Sequence, residues 1–524
     1  MFMEKLKNYL PENISPEINR DSVSFKITAS TLKEVISNFV FEKKLSFKLM
    51  TATDERNEHG VFKIWYVFSV PGTKHLIIPY LELTETIEFP SLALSVNQLW
   101  HYERLVHTFF GLTPVGHPDL RPVTLHENWP ENIYPLRKDF LWNTRPTETN
   151  LTYAFETVTG EGIYEIPVGP IHAGIIEPGH FRFSVAGENI VALEPRLGFT
   201  HKGSEKMFEL FSLPDQLRLS EKISGDSSFS HSLAFALAVE KLANLKIPKR
   251  AEFLRVIFAE LERLANHFGD LGAIMMDAGF NFGGSQGSRL REMIMQINES
   301  LTNSRFLRGV NTVGGVTKDI DDATNKKLAD ALDRIKKDYS EGLAIAENSM
   351  SLLNRLKGTG LLTQEIALNQ GVTGVPARAI GIATDTRVDY PYSSYQQLFT
   401  GPIAIENEGD VYARFKVRSA EIFSSIKIIT TALSTMPAGE IAKDLTLPLI
   451  FKENDYTVSQ VEGWRGEIVY FITTDATGKI SRVFPRDPSM INWSILKDVC
   501  LDNVVPDFPL INKSFNLSYT GNDL

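Results

Sequence analysis

Ser224-Gly225-Asp226-Ser227-Ser228-Phe229-Ser230-His231 marks the point at which this 524-residue chain changes from short β-rich runs to long helices. Two small residues separated by two others form the layout of a paired-ligand metal motif. The layout recurs at the far end of the chain in Ser518-Tyr519-Thr520-Gly521-Asn522-Asp523-Leu524, and neither copy contains a cysteine. Beyond the first copy, Ser232 to Leu245, Lys249 to Met276, Arg289 to Leu307, Asn325 to Leu356 and Asp410 to Leu433 carry apolar residues at helical spacings. Long amphipathic segments in succession predict a helix bundle.

Working outward, the chain before this point reads as mixed. Thr31 to Lys43 is expected to be a helix with Leu32, Val35, Ile36 and Phe39 on one face, followed by strands over Leu45 to Thr51, Val61 to Val70 and His75 to Leu83. Val96 to Phe110 returns to a helical period, with Leu99, Leu105 and Phe109 as core candidates, and Leu141 to Leu151 has the composition of a linker. Next come a Gly/Pro-punctuated strand at Glu165 to Pro170 and a hairpin from His180 to Leu193 turning at Gly187 and Glu188. After the helices, strands are expected beyond Gly463, over Ile468 to Thr473 and Ser481 to Phe484. The fold class is therefore α+β: a small N-terminal α+β domain over residues 1–145 and a mainly helical domain with small β regions over residues 146–524.

The bulk numbers exclude several roles. A net charge of -10 argues against nucleic acid as a partner, which calls for a basic field. The single cysteine, Cys500, rules out an intrachain disulfide framework and a chain-borne iron–sulfur or Cys-type zinc site, and it reads as a small core residue. The first residues carry scattered charges and no apolar signal segment, so they read as retained. The nearest candidate for a membrane span, Leu233 to Leu242, is short and carries Glu240 and Lys241, so membrane association is expected through partners.

Glu103-Arg104-Leu105-Val106-His107-Thr108-Phe109-Phe110-Gly111-Leu112, His117-Pro118-Asp119-Leu120-Arg121 and Pro135-Leu136-Arg137-Lys138-Asp139 resemble the signature of the 30 kDa subunit of respiratory complex I. The rest resembles the complex I 49 kDa subunit and the large subunit of membrane-bound [NiFe] hydrogenases of the formate hydrogenlyase type. The resemblance is carried by Val168 to His172, Glu177 to Arg182, His201 to Lys206, Glu260 to His267, Gly409 to Arg414 and Val461 to Glu467. In such hydrogenases two Cys-x-x-Cys pairs hold nickel and iron. The matching positions here are Ser224, Ser227, Ser518 and Gly521. A serine hydroxyl stays protonated near neutral pH and glycine offers no ligand atom, so the resemblance implies the frame of that enzyme with no nickel–iron centre and no metal held by this chain.

Complex I uses the corresponding cavity for a quinone headgroup, between a histidine of the Gly-Pro-His region and a tyrosine near the first long helix. His172 or His180 matches the histidine, whereas Gly225 stands near the tyrosine position. Quinone reduction takes two electrons and two protons, so His172, His180, Asp226 and His231 are the catalytic candidates, with Ser224, Gly225, Ser227 and Ser518 lining a vestigial metal pocket open to quinone. Structural alternatives stand beside each. His231 also suits a cap or a satisfied core histidine, and Asp226 suits an acid favoured by a helix dipole. Glu260, Arg263 and His267 share a helical face and read as an ion-paired buried stripe. Glu177 and Glu205 are either proton-carrying acids or ion partners of Arg182 and Lys206.

The resemblance implies a cavity-forming subunit of a complex I-like or hydrogenase-related oxidoreductase on the inner, cytoplasmic face of the cell membrane. Electrons would come from an iron–sulfur cluster on a 20 kDa-like small subunit, with antiporter-like membrane subunits alongside. Two alternatives remain: a non-catalytic scaffold coupling such subunits, and a working hydrogenase. The family's names imply nicotinamide, but the chain has no Gly-rich dinucleotide loop of the Rossmann kind.

Overall fold

The computed structural model describes residues 6–12, 14–84, 86–173, 176–446 and 448–524. The N-terminal part is a five-stranded sheet in the order β1-β2-β5-β4-β3, formed by β1 (Glu17–Asn19), β2 (Ser22–Ile27), β3 (Ser46–Glu55), β4 (Val61–Ser69) and β5 (Leu76–Leu83). β2 and β5 run parallel and the other neighbours antiparallel. Helix α1 (Ala29–Ser37) runs into a π-helical turn at Asn38–Glu42, burying Leu32, Ile36 and Phe39. Helix α2 (Trp100–Phe110) buries Leu105 and Phe109, as its spacing predicts.

A three-stranded antiparallel sheet follows, β6 (Ile163–Val168), β7 (His180–Ala186) and β8 (Asn189–Arg196), with the expected turn at Gly187 and Glu188. The helical layer is α3 (Ser228–Leu242), α4 (Lys249–Asp277), α5 (Asn281–Thr302), α6 (Asp322–Glu347) and α7 (Val411–Thr435). α4 packs against α5 on one side and α7 on another, while α3 lies across an antiparallel meander of β9 (Tyr456–Glu462), β10 (Glu467–Thr474) and β11 (Ile480–Arg486). The chain closes with the short helix α8 (Tyr519–Asp523). Among the described residues no helix is long and apolar enough to cross a membrane.

Three expectations change. Helix α5 starts at Asn281, eight residues before Arg289, because Gly283, Gly284 and Gly287 are buried where α5 crosses α4 and the apolar period is hidden by side chains that the crossing has no room for. The helix expected from Asn325 to Leu356 is two, broken where Ser349 caps a new helix at Met350–Leu356. Strand β9 comes before Gly463; its Ser459, Gln460 and Glu462 are buried, so the polar residues that obscure the strand in sequence are interior ones.

Candidate functional site

Helix α3 begins where the Ser224–His231 stretch ends, and its first backbone amides need acceptors. They find one on α4: the Glu262 carboxylate accepts from the amides of Phe229 (2.7 Å) and Ser230 (3.1 Å) and from the Ser230 hydroxyl. Burial pushes Glu262 up to about 7 in spite of these bonds. Asn266, one turn along α4, donates to the carbonyls of both Glu262 and Asp226, so α4 sets the path of the loop before α3.

That loop meets the chain's far end. Ser224 Oγ lies 2.9 Å from Ser518 Oγ, although 294 residues separate them. Arg465, in the turn between β9 and β10, reaches across: its guanidinium bonds both Asp226 oxygens (2.6 and 2.7 Å) and lies 3.3 Å from Ser224 Oγ and from Ser227 Oγ. Burial raises the Asp226 carboxyl, but the charge and hydrogen bonds of Arg465, with that of Ser224, more than offset this and hold it below the usual aspartate range. Asp226 is thus an ionised partner of arginine. Gly225 has only Arg308 near its α-carbon, at 3.5 Å from where a side chain would start.

His231 is fully buried one turn further on. Its Nε2 lies 3.0 Å from Asp487 Oδ2 and its Nδ1 3.1 Å from the Tyr470 hydroxyl, so both ring nitrogens have hydrogen-bond partners. Asp487 is also bonded by the Ser489 amide at 2.7 Å. Helix α8 closes this end: Gly521 sits against Asp487 and Ser518, and Asp523 accepts from the amides of Gly198 (3.0 Å) and Thr200 (2.9 Å). The same helix brings Tyr519 to His172, whose Nε2 lies 3.1 Å from the phenol oxygen. Gly179 makes the approach possible, since a β-carbon there would stand 2.4 Å from the Tyr519 ring. Burial lowers the basicity of His172, so near neutral pH its ring is uncharged, and pushes the Tyr519 phenol up, so it keeps its proton.

The candidates therefore divide. Ser224, Gly225, Asp226, Ser227, His231 and Ser518 come together, and His172 stands beside them through Tyr519. His180 does not join them. Strand alternation sends Phe181 toward Trp493 and Tyr519, and His180 to the opposite face, against Phe155 and Arg182. The expected ion pairs are also corrected. Arg182 pairs with Glu165 (2.7 Å) and Lys206 with Glu209 (3.2 Å), Glu205 pairs with Arg482, and Glu177 accepts from the Thr520 amide at 3.0 Å. Sequence reasoning passed over Tyr519, Asp487, Tyr470 and Glu262. Tyr519 lies within the Ser518–Leu524 motif and Glu262 within the Glu260–His267 block, whereas no local pattern marks Asp487 or Tyr470.

Comparison with known proteins agrees with this architecture. Residues 25–146 match the family model of the 30 kDa subunit of respiratory-chain NADH dehydrogenase, and residues 277–457 that of its 49 kDa subunit. Formate hydrogenlyase subunit 5 of Escherichia coli (strain K12) is 31% identical over 516 residues, covering 96% of this chain and 89% of that protein. Hydrogenase-4 component G of the same strain is 31% identical over 99% of this chain and 91% of its own length. The C/D fusion protein of NADH-quinone oxidoreductase from Phocaeicola vulgatus is 28% identical over 93% of this chain and 96% of its own. This chain therefore belongs to the family in which the 30 kDa and 49 kDa subunits of respiratory-chain NADH dehydrogenase are fused in one polypeptide, alongside formate hydrogenlyase subunit 5 and the C/D fusion protein of NADH-quinone oxidoreductase.

Proposed function

We propose that this chain is the acceptor-binding subunit of a membrane-associated oxidoreductase and that its acceptor is a quinone. The observation that carries the reading is the His172–Tyr519 pair. It sets a neutral imidazole and a protonated phenol side by side, next to the Ser224–Ser518 contact, in a chain whose relatives are named for hydrogenase or quinone chemistry. Two electrons and two protons convert a quinone to a quinol; the bond between the pair uses one of its two donors and leaves the other for a quinone oxygen as it gains charge. Ser224, Ser518 and the Asp226–Arg465 pair form the polar floor behind them. His231, enclosed by Asp487 and Tyr470, holds that floor in place and is not in reach of the acceptor.

The chemistry of the donor set supports the absence of a nickel–iron centre. Three hydroxyls stand where soft thiolates would be needed, the two nearest already bond each other, and the Arg465 cation lies 3.3 Å from Ser224 Oγ and from Ser227 Oγ. A β-carbon at Gly521 would stand 2.7 Å from Asp487 Cγ, so no donor side chain fits there. Electrons would then arrive from an iron–sulfur cluster on a 20 kDa-like partner. Antiporter-like subunits would hold the chain at the cytoplasmic face of the membrane.

The purified complex tests this. Replacing Tyr519 by Phe or His172 by Gln should lower quinone-dependent oxidation by about 10²-fold, the usual worth of a positioned proton donor. Unchanged rates in both variants would refute the role, and stoichiometric nickel with hydrogen uptake would overturn the reading altogether. A scaffold is the second reading. It is favoured by the way Ser224, Ser518 and Arg465 satisfy one another, and it predicts no acceptor turnover together with loss of assembly when α8 is disturbed.

A further inference from the structure

The middle of α4 buries charged groups that the pocket does not use. Glu260, Arg263 and His267 face Arg378, Asp385 and Arg387 from the 375–389 segment, Glu421 from α7 and Glu462 from the end of β9. All eight are at most 2% exposed. Their bonds form one network. Arg387 pairs with Asp385 (2.6 Å) and Glu260 (3.1 Å), and Arg263 pairs with Glu260 (3.2 Å). Arg378 pairs with Glu421 and with Glu462 (both 2.9 Å), and His267 Nε2 lies 2.7 Å from Glu421.

The network does not balance. Burial lowers the basicity of His267 and keeps its ring uncharged near neutral pH, which leaves four carboxyls against three guanidiniums, and guanidinium does not give up its proton in proteins. The charges around it are already used: Arg418 binds Asp270 at 2.8 Å, Arg465 binds Asp226, and the nearby Asp389 would only add negative charge. An uncompensated carboxylate in such a place costs several kcal/mol, so one acid keeps a proton. Glu260 and Asp385 each have a well-placed arginine, and Glu421 has Arg378, His267 and, at 3.8 Å, Arg263. Glu462 has only Arg378, which it shares with Glu421, and a 3.0 Å amide bond from Thr386.

We propose that Glu462 is a buried proton-binding site, neutral at physiological pH, and that its proton is held by the carboxyl excess of the network. Burial and the nearby Asp385 charge both push Glu462 above the ordinary glutamate range, in the same direction. Glu462 lies three residues before Arg465, and Arg263 clamps the carbonyls of Glu462 (2.7 Å) and Gly463 (3.0 Å). On the reading of the serine pocket as a redox site, on which this last step rests, charge arriving beside Arg465 changes the field at this proton.

The test is infrared spectroscopy of the intact complex at neutral pH. The wild type should show one more protonated-carboxyl stretch than Glu462→Gln. Glu421→Gln should lose the same single band, because it makes the count three to three and lets Glu462 ionise, and the double variant should lose no more than one. Equal carboxyl intensity in wild type and Glu462→Gln would overturn the proposal, as would loss of two bands in the double variant; so would a band that Glu421→Asp shifts and Glu462→Asp does not, since either Gln variant balances the count and only the shift shows which carboxyl carries the proton. Stability against pH gives a second readout. A group raised in the folded state stabilises fully below its unfolded constant and loses that contribution as pH rises through the folded one. The melting temperature of Glu462→Gln should therefore fall less on alkaline titration than that of the wild type, and an identical fall would count against the assignment. Neither measurement depends on quinone turnover, so the proton site and the acceptor can fail separately.

Discussion

Replacing Gly521 with alanine tests the close packing against Asp487 and Ser518, which leaves no space for a side chain at that position. The residue lies within α8 in ordinary helical backbone, so propensity alone favours alanine by up to about 1 kcal/mol. Packing opposes it. The new β-carbon would lie 2.7 Å from Asp487 Cγ, 2.8 Å from Asp487 Oδ2 and 2.9 Å from Ser518 Oγ. Asp487 has nowhere to go, because it is fully buried and held by His231 (3.0 Å) and the Ser489 amide (2.7 Å). Ser518 is tied to Ser224 and to the Gly521 amide, each at 2.9 Å. Forcing a methyl group into a packed site costs about 1–3 kcal/mol. Displacing Asp487 from either donor adds about 1–3 kcal/mol for the group left unsatisfied. The expected net loss is about 1–5 kcal/mol, read from the midpoints of urea unfolding of the purified protein. Gly342→Ala is the control: Gly342 sits inside α6 with nothing within 4 Å of the added carbon, so that variant should gain up to about 1 kcal/mol. If Gly521→Ala is stabilised like Gly342→Ala, the close-packed floor is refuted, and with it the steric argument against a fourth donor.

Other outcomes follow from the same packing. Burial pushes both Glu103 and Glu262 up to about 7, so each stabilises the fold below the ordinary glutamate range and loses that contribution as pH rises through about 7. Relative to wild type, Glu103→Gln and Glu262→Gln should each remove on the order of 2–3 kcal/mol of the stability lost between pH 5 and pH 8, measured by denaturant midpoints across that range. Arg387→Met leaves Glu260 and Asp385 short of a buried cation and should cost about 3–5 kcal/mol, with part of it recovered when Asp385→Asn is added. Additive losses would mean the pair is not coupled. Cys500 is fully buried and its thiol is pushed up to about 12, so it should react with a thiol reagent only at the rate of unfolding, and rapid labelling of the native protein would contradict the packing.

Much of this fold is legible in sequence where the signal is local. The β-rich runs of the N-terminal sheet, the turn at Gly187 and Glu188, and the long helices over Lys249 to Met276 and Asp410 to Leu433 stand where periodicity puts them, because apolar spacing reports directly which face of an element is buried. Two of the three changed expectations share one cause. At α5 and β9 the interior face is made of glycines and polar residues, whose burial depends on partners elsewhere in the chain. The stripe of Glu260, Arg263 and His267 was readable as ion-paired, but its excess of carboxyls was not, since Arg378, Asp385, Arg387, Glu421 and Glu462 come from three other segments.

By itself the sequence determined the α+β class, the fusion of two subunit types, and the absence of thiolates from both small-residue motifs, since all three are properties of residue identity and local spacing. Only the tertiary structure decided what meets at those motifs. Ser224 meets Ser518 across 294 positions, His231 meets Asp487 across 256, and His172 finds Tyr519 across 347. Such contacts form when a helix end, a strand turn and the last residues of the chain are packed against one buried arginine, and no periodicity along the chain encodes that meeting.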